Sequence, residues 1–430
     1  MKSPLSPSMA KFILDVRYEL GYYNSYSRTI ALLFLKYFIE NSDDTSSCYE
    51  EILDFKTKMN DVAEGKYEFT LDDYDKFLQT IDLKYCTFFD YTFSFCDCYK
   101  FYFDMFQKKE SDRKIFKSLI AVDLPTTPKE WEETLKFILA SSETDMMRTQ
   151  ENTSSDSLTK IAAALLKVNN NDVYLDPFCG FSTSLLNIKN PKEYIGFDIT
   201  YENMLISFAT ALFLGFDYKQ INVIFGNFIK ADDVVADKIF AEPPLLLKNI
   251  DLPKCYEKIT KDFGVASLIK IYDSLKDGGT AVIATPSRTL SASQKGYEYF
   301  RKIVTENGLK AVINLPSLWG RSLVDTNLIL IQKGYKGNIE FISTKESFCK
   351  DRGRFVATDE LINKIDEVII KQITEEEFSV SVERTEVLSK GNWNPNIYLA
   401  PTIKTQESRT VEEIDTELSA LYQQFFNNNK

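Results

Sequence analysis

The 430-residue sequence predicts a doubly wound, Rossmann-like α/β sheet between an α-helical N-terminal domain and a short helical C-terminal tail. Three observations predict it. From about residue 150 to 345, short apolar runs alternate with helical stretches, the pattern of parallel strands joined by crossover helices. Before residue 150 the apolar period is helical only. The last segment carries a heptad seam in place of strands. The expected domains are therefore 1–150, 151–345 and 346–430.

The elements follow in order. "SRTIALLFLKYFIENS" places Ile30, Leu33, Phe34 and Tyr37 at i, i+3, i+4 and i+7, one apolar stripe of a helix. "PKEWEETLKFILASS" opens with Pro128 near a first turn, where its missing N–H costs nothing. No chemistry is evident in this part, so a packing or partner-binding role is expected. "SSDSLTKIAAALLKV" is an amphipathic helix opened by Ser and Asp caps. Strands are expected at 173–176, 194–199, 222–226, 238–241, 280–285, 309–315 and 324–332, with helices at about 202–214, 262–276 and 291–307. "TDELINKIDEVIIKQ" reads as a further helix and "FSVSVERTEVL" as a short extended piece. In the tail, Val411, Ile414, Leu418, Leu421 and Phe425 are spaced 3-4-3-4. That seam could pack on its own chain or on a partner helix.

Composition narrows the chemistry. A 44% hydrophobic and 27% charged chain is that of a soluble globular protein. No apolar run reaches the ~18 residues of a membrane span, and the N-terminus lacks a signal core, so a cytoplasmic protein is expected. The chain has no histidine, which removes His bases, His triads and most zinc chemistry. Its seven cysteines are scattered and odd in number, which argues against a disulfide framework. Cys96 and Cys98 stand close together in an aromatic run, yet buried thiols explain them more simply than a metal, and no metal site is expected. A net charge of −12 implies that contact with nucleic acid would need a local basic patch or a basic partner.

The strand ends carry the chemistry. In doubly wound sheets ligands bind outside the carboxyl ends of the strands. "VYLDPFCGFSTSLL" ends a strand on Asp176, turns at Gly180 and begins a helix at Ser182, with Phe178 in the turn. About 20 residues on, "EYIGFDIT" ends a strand on Asp198, where an acid can accept ribose hydroxyls. "VIFGN" brings Asn227 to the end of the third strand, where an amide could read an adenine edge. "KIFAEPPLLLK" ends the fourth on Glu242, Pro243, Pro244 and Leu245. Each has a plainer reading alone: Asp176 as a helix cap, Asp198 as a strand-end acid, Asn227 as a turn residue, Glu242 as a structural acid, Cys179 as packing. Gly180 is the lone glycine of its turn, so a Gly-x-Gly-x-x-Gly dinucleotide site is not supported.

Taken together these segments resemble S-adenosylmethionine-dependent amino-methyltransferases. "DPFCGFSTSLL" is similar to their motif I and "EPPL" to their motif IV, usually Asn-Pro-Pro-Tyr/Phe or Asp-Pro-Pro-Tyr. "LKDGGTAVIATPSRTLSASQKGYEYFRKIVTENGLKAVINLPSLWGRSLVDTNLILIQK" resembles, more narrowly, the modification subunit of type I restriction–modification systems. "SRTIALLFLKYFIENS" and "VERTEVLSKGNWNPNIYLAP" resemble that family's N- and C-terminal segments, so the likeness spans most of the chain.

The resemblance implies a seven-stranded methyltransferase sheet with its last strand antiparallel. It implies that S-adenosylmethionine is bound by Asp176, Phe178, Gly180, Asp198 and Asn227, with Thr153-Ser154 at best in the Thr-Pro place of the family's Phe-x-Thr-Pro. It implies methylation of a flipped adenine at N6, beside Glu242, Pro243, Pro244 and Leu245. It also implies a hetero-oligomer that reaches DNA through a specificity subunit, docked by the C-terminal helix and the N-terminal helical domain.

The catalytic letters depart from the pattern. Glu242 is longer than Asn or Asp by one methylene, roughly 1.5 Å, and a ~1 Å displacement can cost about 10²-fold. Leu245 has no π face where an aromatic would stack, an interaction worth about 1–3 kcal/mol. Ser182 replaces a second glycine. The alternative is therefore a methyltransferase-fold scaffold or cofactor-binding subunit without catalysis.

Overall fold

The computed structural model describes residues 5–20, 25–41, 49–70, 72–73, 76–77, 79–80, 109–146, 153–244, 252–318, 326–344, 347–351 and 354–399. Leu245, the Cys96–Cys98 pair and the heptad positions of the tail lie outside them. None of the described helices is long and apolar enough to cross a membrane.

The N-terminal part contains α1 (Pro7–Leu20), α2 (Ser25–Glu40), α3 (Tyr49–Glu64), α4 (Lys109–Ile120) and α5 (Pro128–Met146). α2 is buried almost all round, as its near-continuous apolar sequence requires. Then come α6 (Asp156–Leu166), β1 (Val173–Asp176), β2 (Glu193–Asp198), α7 (Tyr201–Phe213), β3 (Ile221–Phe225) and β4 (Ala236–Ala241). They are followed by α8 (Phe263–Asp273), β5 (Leu275–Pro286), α9 (Lys295–Asn307), β6 (Leu309–Leu315), β7 (Thr326–Gln332) and β8 (Ile339–Ser343). A small ribbon, β9 (Cys349–Asp351) with β10 (Arg354–Val356), precedes α10 (Asp359–Lys371), β11 (Ser379–Val382) and α11 (Arg384–Lys390).

The main sheet has the order β11-β8-β6-β7-β5-β4-β1-β2-β3. β7 is antiparallel to both β5 and β6, as expected of the seventh strand. The count of seven is corrected to nine: β8 adds parallel to β6, and β11 adds antiparallel to β8. The sheet edge is thus finished by a strand from beyond residue 345. The order doubles back between β1 and β4, so a crevice forms where the connections leave in opposite directions.

Strand alternation sends side chains to two cores. On one face Tyr174, Phe240 and Val282 share a core with α6, α7, α10 and the N-terminal helices. On the other Leu175, Ile239 and Ile283 pack with α8 and α9. The N-terminal helices are part of the first core. Trp131 of α5 stacks on Phe213 of α7 with centroids 3.8 Å apart, and Phe34 of α2 meets Phe208 edge-on at 6.1 Å. At the other end Trp393 is fully buried, its indole N–H donating to Thr305 Oγ1 at 2.8 Å, and Tyr398 stacks on Phe341 of β8. The "NWNPNIYL" segment is thereby held against the sheet.

Candidate active site

The site begins with the loop after β1. Asp176 ends a buried strand and is itself 4% exposed. Its Oδ2 accepts from Ser184 Oγ at 2.8 Å, and Ser184 in turn accepts from Tyr174 Oη at 3.1 Å. Burial pushes the Asp176 carboxyl up to about 7; the negative Asp198 adds to this, while Ser184 and the Phe178 N–H pull the other way. The chain then reverses through Gly180, whose φ of +51° suits a residue without Cβ.

Ser182 stands in a left-handed conformation as well, with φ +54°. A side chain there is normally disfavoured by about 1–2 kcal/mol. Its hydroxyl is fully buried and bonded to Tyr194 Oη and Ser207 Oγ, which hold it in place. The helix expected from Ser182 is only a 3₁₀ turn, Thr183–Leu186. Asn187 to Pro191 then lead straight to β2, leaving no room for more. Phe181 stacks on Tyr26 of α2 at 5.5 Å, so the N-terminal helices brace this loop.

Asp198 ends β2 beside the loop, because β1 and β2 pair in parallel register. Its Oδ2 accepts from the Gly180 N–H at 3.1 Å and its Oδ1 from the Thr200 N–H at 2.8 Å. Burial raises its pKa, against the pull of Asn203, Thr200 and Gly180. Ile199, next in sequence, is 60% exposed, an apolar surface at the strand end that strand-end polarity alone did not single out. Asn227 follows β3. Its Oδ1 accepts from the Ile229 N–H at 3.1 Å and caps the 3₁₀ turn Phe228–Lys230. Phe228 meets Phe178 edge-on at 6.0 Å, which ties the β3 end to the β1 loop.

β4 pairs with β1, so Glu242, Pro243 and Pro244 emerge next to Asp176. Among the described residues, the Glu242 Oε1 atom is buried without a hydrogen-bond partner. Burial pushes this carboxyl up to about 8; the Ser154 side chain pulls it down and the Asp176 charge adds to the rise. Ser154, which stands with Thr153 in the family's Thr-Pro place, thus lies beside Glu242. Its N–H donates to Thr183 Oγ1 at 2.9 Å, which fastens the Thr153–Ser154 segment to the β1 loop.

Asp176, Phe178, Gly180, Asp198, Glu242, Pro243 and Pro244 thus share one sheet edge, with Thr153 adjoining through Ser154. Asp176, Asp198 and Glu242 have no ion pair to Lys or Arg among the described residues, and burial raises the pKa of all three. Such a cluster suits a cationic ligand, whose charge favours ionised carboxylates. Residues that could hold a metal ion do not cluster among the described ones. Cys179 is buried with its Sγ 3.7 Å from Ser207 Oγ, and burial raises its thiol well above the usual range, against a nucleophilic role.

With this geometry in place, the comparisons are decisive. Residues 153–408 match the N-6 DNA Methylase family. The chain belongs to that family. No curated protein sequence matches this N-6 DNA methylase. Among solved structures, it is similar to the methyltransferase subunit of a type I restriction-modification system from Streptococcus thermophilus. The identity is 15% and the TM-score 0.70, over 90% of this chain and 97% of that one. It is also similar to a chain from a structure of assembly and conformational transition in a type I system, with 14% identity and TM-score 0.65, over 98% and 96% of the two chains. A modification subunit from Vibrio vulnificus YJ016, ascribed to a type I restriction enzyme, gives 11% and 0.56 over 86% and 96%. These likenesses extend the shared fold beyond residues 153–408, over 86–98% of the chain.

Proposed function

We propose that this N-6 DNA methylase works as a modification subunit, transferring a methyl group from S-adenosylmethionine to the N6 of an adenine flipped out of DNA. The observation that carries the reading is the convergence of Asp176, Asp198 and Glu242-Pro243-Pro244 on one edge of a family sheet. S-adenosylmethionine supplies the electrophilic methyl and a net positive charge when bound. The residues present fit it: a buried acidic cluster without basic partners among the described residues, and a loop whose backbone turns tightly at Gly180.

In this reading Asp198 takes the ribose, Ile199 gives the adenine ring an apolar wall, and Gly180 and Phe178 let the loop approach closely. Asp176 faces the cationic end, Asn227 stands at the adenine end, and Thr153 adjoins through Ser154. Glu242 receives hydrogen from the target N6, while Pro243 and Pro244 keep that corner rigid. Leu245 stands where the family places a stacking ring. The acidity of the chain, at net −12, fits delivery to DNA by a specificity subunit. The C-terminal heptad segment, which lies outside the described residues, and the N-terminal helical domain are the docking elements, in a cytoplasmic hetero-oligomer.

The test uses the tagged chain with its co-purifying partners, unmethylated DNA and methyl-labelled S-adenosylmethionine. Nucleoside analysis should find the label in N6-methyldeoxyadenosine. Label in protein or RNA, or no transfer in any preparation that binds the cofactor, would sink the reading.

A further inference from the structure

A methyl transfer to an amino group must discharge a proton, and this chain has no histidine to take it. Among the described residues, the groups around the corner after β4 are few. From β1 come Asp176 and Tyr174; from the segment before α6 comes Ser154. The charged side chains at the start of α6, Asp156 and Lys160, pair with each other at 2.8 Å. The neighbouring end of β5 offers Thr285, whose hydroxyl is bonded to Thr289. On β5 Lys276 is engaged elsewhere, with Asp237. Among the described residues, one atom in this set is both buried and unpartnered, Glu242 Oε1.

We infer that Glu242 is a proton acceptor in the reaction, ionised by entry of a sulfonium cofactor and reprotonated as the sulfonium charge disappears. This rests on the methyltransferase reading above. Without ligand, burial and the nearby Asp176 keep the carboxyl protonated near neutrality, with a pKa of about 8. A cation brought within ~4–6 Å of a carboxyl lowers its pKa by about 1–3, so entry of the cofactor expels the proton and leaves a carboxylate.

The transfer step then balances. The N6 lone pair forms the bond to the methyl carbon. The carbon–sulfur bond breaks with its electron pair remaining on sulfur, which becomes a neutral thioether. The proton from N6 moves to Glu242 Oε1. The site begins with one positive and one negative charge and ends with neither, so no uncompensated charge is left buried. An asparagine at this place accepts a hydrogen bond but cannot hold the proton. The substitution is therefore a change of role, and the added length of Glu is the reach of a base.

Isothermal calorimetry on the full chain tests this, with S-adenosylmethionine and S-adenosylhomocysteine each titrated in phosphate and in Tris at pH 7. The expected result is a buffer-dependent heat equivalent to roughly one proton released for the sulfonium ligand, and much less for the thioether. Affinity for S-adenosylmethionine should fall by up to about tenfold per pH unit below about pH 8. Glu242→Gln should remove most of the difference between ligands, leaving only the smaller part that Asp176, with a pKa of about 7, contributes; the wild-type comparison stands even if that variant folds poorly. Equal heats for the two ligands in both buffers would overturn the inference. So would proton release that persists in Glu242→Gln and vanishes in Asp176→Asn, which would move the base to β1. Failure of both ligands to bind at millimolar concentration would bring down the methyltransferase reading itself, a result distinct from binding without proton release.

Discussion

The loop after β1 and the corner after β4 lie side by side on one sheet edge, and they differ in how their polar groups are answered. In the loop, Asp176 is met by Ser184, Asp198 by Gly180 and Thr200, Ser182 by Tyr194 and Ser207, and Thr183 by Ser154. At the corner, Glu242 keeps one buried oxygen with no partner among the described residues. A buried acceptor left unmade costs about 1–3 kcal/mol, so such an atom is retained where something else will meet it. On the proposed reading, the loop is built before ligand arrives and the corner is completed by ligand.

The largest expected effect falls on the corner. Glu242→Gln keeps an acceptor of the same length but cannot take a proton, and loss of a general base typically costs 10²–10⁴-fold in kcat, or roughly 3–5 kcal/mol. Methyl transfer measured on the purified complex should fall by that much. A loss below about tenfold would mean the free oxygen is not used in the chemistry, and the contrast between the two regions would lose its functional meaning.

Next comes the loop's buried acid, read through stability. Asp176 titrates near 3.8 when unfolded and about 7 when folded. Between those values the folded state holds a proton that the unfolded state has lost. Stability therefore falls as pH rises through this window, and the penalty is complete above about pH 7. Asp176→Asn should raise stability by about 1–3 kcal/mol at pH 8 and by little at pH 4. Denaturant unfolding at the two pH values checks it. A gain independent of pH would show that the effect comes from packing.

Smaller again is the cost of breaking the loop's hydroxyl network. Ser182→Ala leaves Tyr194 Oη and Ser207 Oγ facing a methyl in a fully buried place, at about 1–3 kcal/mol. Ser182→Gly loses the same bonds but relieves the left-handed backbone, so it should cost about 1 kcal/mol less. Equal losses in thermal unfolding would mean the backbone is not strained at this turn.

The same contrast governs what could be read from the sequence. Strand ends were legible because apolar runs stop on polar residues there; the expected strand 309–315 matches β6 to the residue. β8 and β11 were missed as sheet members because "SVSV" is short and half polar, and its place is set by pairing with β8, which sequence spacing does not carry. The acids were legible because the fold needs them at strand ends. Ser154 was legible only through its place beside Thr153, and Thr183 and Ser184 were not, because hydroxyl residues read as helix caps until the partners are seen. The short 3₁₀ turn after Gly180 was signalled by Pro191 and the brief interval to β2, a constraint that motif matching passes over.

Asn227 gives the finest test, because two roles coincide in one side chain. Its Oδ1 caps the turn Phe228–Lys230, which accounts for an Asn here with no ligand involved. The proposed contact with adenine would use the rest of the amide. Asn227→Ser keeps a capping oxygen and removes the amide, whereas Asn227→Ala removes both. The alanine variant should lose about 1 kcal/mol of stability and the serine variant almost none. If the amide also reads adenine, both variants should bind S-adenosylmethionine several-fold more weakly, since a neutral hydrogen bond is worth about 0.5–1.5 kcal/mol. Wild-type affinity in the serine variant would reduce Asn227 to a cap. The cofactor end would then be held by Asp198 and the loop after β1, and the third strand would contribute only its position.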